Sequence, residues 1–373
     1  MRVLLSVHHR LDFDQGAPGA TLALGRALAA AGCEVGYLAY DHVFGALTEE
    51  RVSHQLRFPW RAAADLGRRA GGFDVVDASS GDAWVWATLG RPGGRGTALV
   101  TRAHGLEHLA VERARSAALE GGQPLSWKYP LYHGGLRLWE VGRSLRLSDH
   151  SVLLNAGDRD YVRDRLGVPA ERLSVIHNGV PDHFHEVGPP EPVEGPVRLA
   201  FLGRWSADKG APTVVEAIAA LDERGVDFSL TVLGTLGEPG DVLADVPDAL
   251  RSRVSVVARF TNRRLPELLA GHELFVFPSR SEGASGALVE AMACGLAPVA
   301  TPVGGAPEVV TAGSGVLVEA DRVPETVARL AQDREALLDM RRRAQRAANR
   351  YRWSDVASRT IEVYERAVAV RSG

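Results

Sequence analysis

Residues 273–301 read ELFVFPSRSEGASGALVEAMACGLAPVAT. A short apolar run ends at Pro278-Ser279, a glycine-bearing polar turn follows, a helical stretch runs from about 285 to 293, and Gly295 stops it. A second apolar run, 296–301, comes straight after. Strand, loop, helix and strand in this order form a βαβ unit, whose strands lie parallel with a right-handed crossover. The unit also carries two carboxylates, Glu282 in the loop and Glu290 in the second helical turn.

The same alternation extends in both directions. Upstream, strands are expected at 2–8, 33–40, 73–78, 97–104, 151–155 and 173–179, with a helix at 19–32 ending on glycine. Then EVGPPEPVEGP (186–196) places four prolines in eleven positions, which excludes a helix or a central strand and reads as a linker. After it the pattern restarts with strands at 197–204, 228–234, 253–260, 273–279, 296–301 and 313–319 and a helix at 213–225. The tail, 321–371, is helical and rich in Ala and Arg. It breaks at Trp353-Ser354-Asp355, where Ser354 or Asp355 suits a helix N-cap. At 373 residues the chain exceeds one ordinary core. The expected architecture is therefore α/β: two Rossmann-like parallel-sheet domains, 1–185 and 197–354, joined by 186–196. In such folds the ligand lies in a central cleft at the carboxyl ends of the strands.

Composition narrows the function. A net charge of −3 gives no electrostatic footprint for nucleic acid. The apolar start is too short for a secretory signal, and no run of 18 apolar residues exists. Two cysteines make a disulfide framework unexpected and fit a reducing cytoplasm, and they are too few for a cysteine-based zinc site. Of 43 basic residues only Lys128 and Lys209 are lysines, so a lysine at a motif position carries information of its own.

Four motifs fall at strand ends. A bare pair of glutamates eight apart is common on solvated surfaces. Here, however, Glu282 and Glu290 flank a run of small residues, Gly283-Ala284-Ser285-Gly286-Ala287, at a strand-to-helix turn. The amides of about 284–287 are unpaired helix-start donors, and small side chains let a ligand approach them. Carboxylates accept hydrogen bonds from sugar hydroxyls. The second motif is FLGRWSADKGAP (201–212). It sets Arg204 and Lys209 at another strand-to-helix junction, a planar fork and a point charge suited to a diphosphate. The third, TRAHGLEH (101–108), puts His104 after a strand, where it suits a phosphate, a hydroxyl or proton transfer, with His108 as a helix-face neighbour. The fourth is QGAPGAT (15–21), whose Gly16 and Gly19 permit close backbone approach. Two further features have duller alternatives. Asp12-Phe13-Asp14 matches a metal-binding D-x-D but has no neighbouring ligand cluster, so no metal is expected. The aromatic and basic stretch 125–147, with Lys128, Arg137, Arg143 and Arg146, suits a partly buried helix better than peripheral membrane contact, with an acceptor-binding segment as a further reading.

Taken together, GRWSADKG, the stretch PSRSEGASGALVEAMACGLAPVATPVGGAPEVV, the N-terminal GAPGATLALGRALAAAGCEV and VIHNGV at 175–180 resemble the retaining glycosyltransferases of family 4, the group 1 enzymes of GT-B fold. The resemblance implies two Rossmann-like domains, the second binding the donor, and a last helix, about 355–373, packing back on the first. It implies a nucleoside diphosphate sugar as donor substrate rather than a cofactor. Arg204 and Lys209 would hold the diphosphate, Glu282 and the amides of Ala284, Ser285, Gly286 and Ala287 the sugar, and Glu290 the ribose. His104 would reach the donor sugar, and Gly16 would lie near phosphate and acceptor. Many members carry an aromatic residue and a glycine where Ala284 and Ser285 stand, and a glycine pair where Gln15-Gly16 stands. The expected activity is retaining, metal-independent transfer of a hexose from a UDP- or GDP-sugar to a hydroxyl of a saccharide, lipid-linked saccharide or small molecule, in the cytoplasm. Base contacts are expected around 256–262 and acceptor contacts within 105–147. The alternatives are a sugar-nucleotide epimerase or hydrolase of the same fold, or a non-catalytic nucleotide-sugar-binding subunit.

Overall fold

The structure, a computed structural model, describes residues 1–13, 16–45, 52–119, 125–126 and 128–372. Asp14, Gln15, Trp127 and residues 120–124 of the sequence motifs lie outside the described residues. The chain forms two compact units, residues 1–179 with 353–373, and residues 180–352.

Each unit is built on a six-stranded parallel sheet. In the first, β1 (Arg2–Val7), β2 (Glu34–Ala39), β3 (Val75–Ser79), β4 (Ala98–Arg102), β5 (His150–Leu153) and β6 (Leu173–Val175) take the spatial order β2-β1-β3-β4-β5-β6. In the second, β7 (Val197–Leu202), β8 (Phe228–Leu233), β9 (Val254–Val257), β10 (Leu274–Phe277), β11 (Ala297–Ala300) and β12 (Val316–Leu317) take the order β12-β11-β10-β7-β8-β9. All the paired strands run parallel, as the apolar, non-alternating runs require. Each of the twelve strands falls on an expected apolar run. In the second unit Leu199, Phe201, Val232, Val276 and Val299 bury one face of the sheet under the helices Ala211–Glu223 and Val323–Gln332.

The boundary differs from the expected one. The proline-rich segment 186–196 belongs to the second unit, because the helix Arg334–Ala348 captures its carbonyls. Arg334 donates to Val193 O at 2.6 Å, Arg341 to Glu191 O at 3.0 Å, and Gln345 to Val187 O at 3.0 Å. Prolines remove donors from this strand-like path but leave acceptors, and long basic side chains satisfy them. The division between units instead falls at Gly179/Val180 and again at Arg352/Trp353. The last break also lies earlier than expected. A short turn at Asn349–Tyr351 ends the preceding helix, and the last helix starts at Trp353 and runs to Ser372, so Ser354 and Asp355 sit inside its first turn.

That last helix is packed into the first unit. Gly179 makes room for Trp353; a Cβ there would sit 2.8 Å from the indole. Deeper in, the fully buried Tyr364 donates to Asp77 Oδ2 at 2.6 Å, and the same oxygen accepts from Arg102 Nε at 3.0 Å and Nη2 at 2.8 Å. Burial and the adjacent Asp77 carboxylate push the Tyr364 phenol well above its ordinary value, so it remains a donor. Tyr364→Phe removes a donor from a buried carboxylate and should cost about 2 kcal/mol. Urea unfolding of the two proteins measures this, with an unchanged midpoint counting against a structural role for the bond.

Candidate functional site

β7 and β10 are neighbours in the second sheet, so the loops that leave their carboxyl ends meet. Two backbone contacts lock them together. Arg280 N donates to Asp208 O at 2.9 Å, and Gly210, in the left-handed region at φ 78°, lies so close that a Cβ would sit 2.2 Å from Pro278 O. This closure brings Lys209 Nζ to 2.6 Å from Glu282 Oε1, with both side chains largely buried. From the other side, the turn after β11 supports the Glu282 backbone. Gly305 N donates to Gly283 O at 3.0 Å, and a Cβ on Gly304 would meet Glu282 O at 2.5 Å.

Arg204 leaves the end of β7 after Gly203 and is exposed, with no hydrogen bond or ion pair among the described residues. Thus the structure pairs Lys209 with the sugar-binding candidate Glu282 and leaves Arg204 as the free cation of the expected clamp.

The helix Gly286–Ala293 starts directly after Glu282-Gly283-Ala284-Ser285. Its first amides have no carbonyl a turn earlier to bind. Ser285 caps it at φ 51°, ψ 42°, left-handed backbone that L residues adopt at a cost of about 1–2 kcal/mol. Its side chain is buried, and Oγ has no partner. Gly286 is exposed, and Ala284 and Ala287 are half-buried, so small side chains surround the helix start.

Glu290 lies one turn on, half-buried, and accepts from Asn262 Nδ2 at 3.1 Å. Burial pushes its carboxyl up, and the Asn262 hydrogen bond opposes this. Asn262, in the short turn after β9, escaped the sequence motifs. It falls at the edge of the segment expected near a base, and only the folded sheet brings it to Glu290.

The first unit places its candidates at the ends of its own strands. His104 follows β4, and its Nδ1 is shut off from solvent without a partner. Burial, then Arg102, His8 and His9, push this imidazole down to about 3, so it is neutral at physiological pH. His108 is a core residue, its ring 5.8 Å from that of Tyr161. Gly16 is not in a loop; it opens the helix Gly16–Ala30, and nothing lies within 4 Å of a Cβ built on it. The glycine that close packing requires is Gly19, whose Cβ would meet Phe13 O at 2.6 Å. In the stretch 125–147 the arginines are engaged within the protein. Arg137 binds Glu107 at 3.1 Å, Arg143 binds Thr88 at 3.3 Å, and Arg146 binds Leu166 O at 2.9 Å. No helix of the described residues is long and apolar enough to cross a membrane.

Residues 16–184 match the family model described as Glycosyltransferase Family 4, and residues 196–333 match that of Glycosyl transferases group 1. Among relatives, the MMP α-(1→4)-mannosyltransferase of Mycolicibacterium hassiacum is 30% identical over 325 residues, 84% of this chain and 75% of its own. The α-maltose-1-phosphate synthase of Mycolicibacterium smegmatis is 27% identical over 274 residues, 65% of this chain and 70% of its own. Among solved structures, a sucrose-phosphate synthase from Thermosynechococcus elongatus superposes with a TM-score of 0.77 at 18% identity, covering 99% of each chain.

The Glu290 environment yields a prediction of sign. A carboxyl whose folded pKa lies above its ordinary 4.5 holds its proton more tightly when folded, so stability falls as pH rises from that value to the folded one. Glu290→Gln keeps an acceptor for Asn262 and removes the buried charge. It should therefore stabilise the protein near about pH 7, with a gain that vanishes near about pH 4. Thermal denaturation at the two pH values checks this; a gain of equal size at both contradicts it.

Proposed function

The chain belongs to the family 4, group 1 glycosyltransferases, and from that premise we propose that it moves a hexose from a UDP- or GDP-sugar to a hydroxyl acceptor, with retention and without a metal. The observation that carries the proposal is the Lys209–Glu282 pair, braced at the carboxyl ends of β7 and β10 next to an unpaired helix start.

An ammonium has three donors, so Lys209 can hold Glu282 and a phosphate oxygen at once. Arg204, which has no partner among the described residues, supplies the second cation. Glu282 then accepts hydroxyls of the donor sugar, and the amides of 284–287 receive the remaining polar groups. Glu290, oriented by Asn262, accepts from the ribose. The acceptor oxygen bonds to the anomeric carbon on the face from which the diphosphate departs, and a diphosphate oxygen takes the acceptor's proton. Negative charge grows on the leaving group, and fixed cations and amide dipoles stabilise it where it forms. Neutral His104, with Nδ1 unpartnered among the described residues, is a candidate hydrogen-bonding group at the strand ends of the first unit. The relatives support the class of reaction, one being a mannosyltransferase and the other an α-maltose-1-phosphate synthase.

Lys209→Ala should lower turnover on the order of 10² to 10³-fold at saturating donor while the protein stays folded. Wild-type turnover by this variant would remove the lysine from the mechanism. The metal question has a separate readout. Incubation of UDP- and GDP-sugars with hydroxyl acceptors, followed by NMR, should give the same α-configured product with and without EDTA. Activity lost to EDTA and restored by Mg²⁺ would return the role to Asp12 and Asp14. Epimerised or hydrolysed donor in the absence of acceptor would replace transfer by a reaction on the donor alone.

A further inference from the structure

The first unit holds a second polar cluster that none of the sequence motifs predicted. It stands at the carboxyl ends of β1, β3 and β4. His8 follows β1, and its Nδ1 lies 2.7 Å from Asp82 Oδ1 in the turn after β3. Asp82 is 1% exposed, and its second oxygen has no partner. The turn is strained, with Ser80 at φ 30°, and tightly closed, since a Cβ on Gly81 would sit 2.9 Å from Arg137 Nη1.

Arg137 is 12% exposed and is balanced by two carboxylates, Glu107 at 3.1 Å and Glu140 at 3.8 Å. Glu107 Oε2 also lacks a hydrogen-bond partner among the described residues, and Glu140 faces Trp84. The cluster thus sets three acidic side chains beside one guanidinium, and burial pushes the Glu140 carboxyl up, toward its neutral form.

The hydrogen bond fixes the chemistry of His8. A carboxylate only accepts, so Nδ1 carries the proton, and Nε2 is the ring atom left to meet a ligand. No described residue engages Nε2, and the ring stays 16% exposed. A ring nitrogen backed by acidic side chains suits a hydroxyl, and those side chains disfavour a phosphate.

We propose that His8, held in this tautomer by Asp82, binds a hydroxyl of the sugar acceptor, and that the acceptor portion bound there is a neutral saccharide or polyol and not a phosphate. This assignment rests on the transferase proposal for its word acceptor, but the site itself can be tested apart from it.

The test uses the full chain labelled with ¹⁵N-histidine. The His8 signals, assigned by their loss in His8→Gln, should report the Nδ1–H tautomer. They should shift on titration with maltose or cellobiose and stay in place with inorganic phosphate. Asp82→Asn offers an amide that can donate to Nδ1, and should shift His8 toward the Nε2–H form. An Nε2–H tautomer in the wild type, a response to phosphate, or no response to either saccharide overturns the proposal. Kinetics give the second arm. His8→Gln should raise the acceptor KM at least about tenfold, while UDP or GDP binding by calorimetry stays within about twofold of wild type, because the loss of one such hydrogen bond is worth about a factor of ten. Turnover with an unchanged acceptor KM in His8→Gln also overturns it. Saccharide binding at His8 with no transfer from any donor leaves this site standing and defeats the transferase proposal instead.

Discussion

The candidate site of the second unit turns on one contact, the 2.6 Å ion pair between Lys209 and Glu282. It exists because β7 and β10, far apart in sequence, are adjacent in the sheet. Isolated surface pairs contribute little, but this one is partly sheltered and joins two loops already fixed by backbone contacts at Arg280, Gly210 and Gly304. Its value is therefore geometric. It holds a carboxylate and an ammonium at a set separation before any ligand arrives, which reduces the ordering required when a sugar diphosphate binds.

The strands were legible because buried parallel strands are short apolar runs between turn residues, and Arg204, Lys209 and Glu282 drew attention because they stand in the loops that follow such runs. The sequence order of a parallel sheet does not say which loops become neighbours, however. That is why Asn262 and the His8–Asp82 pair were missed, although His8 stands in plain view after β1. The proline segment misled for a different reason. Prolines exclude regular structure but do not exclude binding, and Arg334, Arg341 and Gln345 use the carbonyls that prolines leave free. Gly16 was misplaced because a glycine before a helix and a glycine opening one read alike; packing at Gly19 separates them.

Ser285 stands in left-handed backbone at the start of the helix Gly286–Ala293. Left-handed backbone suits glycine, and a serine there pays for a hydroxyl that binds nothing in the protein. Strain of this kind persists when the surroundings over-determine it, and here the turns at Gly283 and Gly304 do so. The unsatisfied Oγ lies beside the helix start that is proposed to receive the donor. Ala284 beside it is a small, half-buried side chain. A hydroxyl and a small side chain thus share one spot, where the donor sugar proposed for this helix start would meet both.

The strand ends of the two units carry opposite chemistry. The second unit offers Arg204, the ammonium of Lys209 and an unpaired helix start, all suited to negative charge. The first offers a neutral histidine at 104, a second imidazole at His8 whose Nδ1 faces Asp82, and three acidic side chains around one guanidinium. Under the proposals for the two sites, a diphosphate belongs with the cations and helix start of the second unit. A neutral polyol belongs with the acidic side chains of the first, whose oxygens left unpartnered among the described residues can accept from hydroxyl donors.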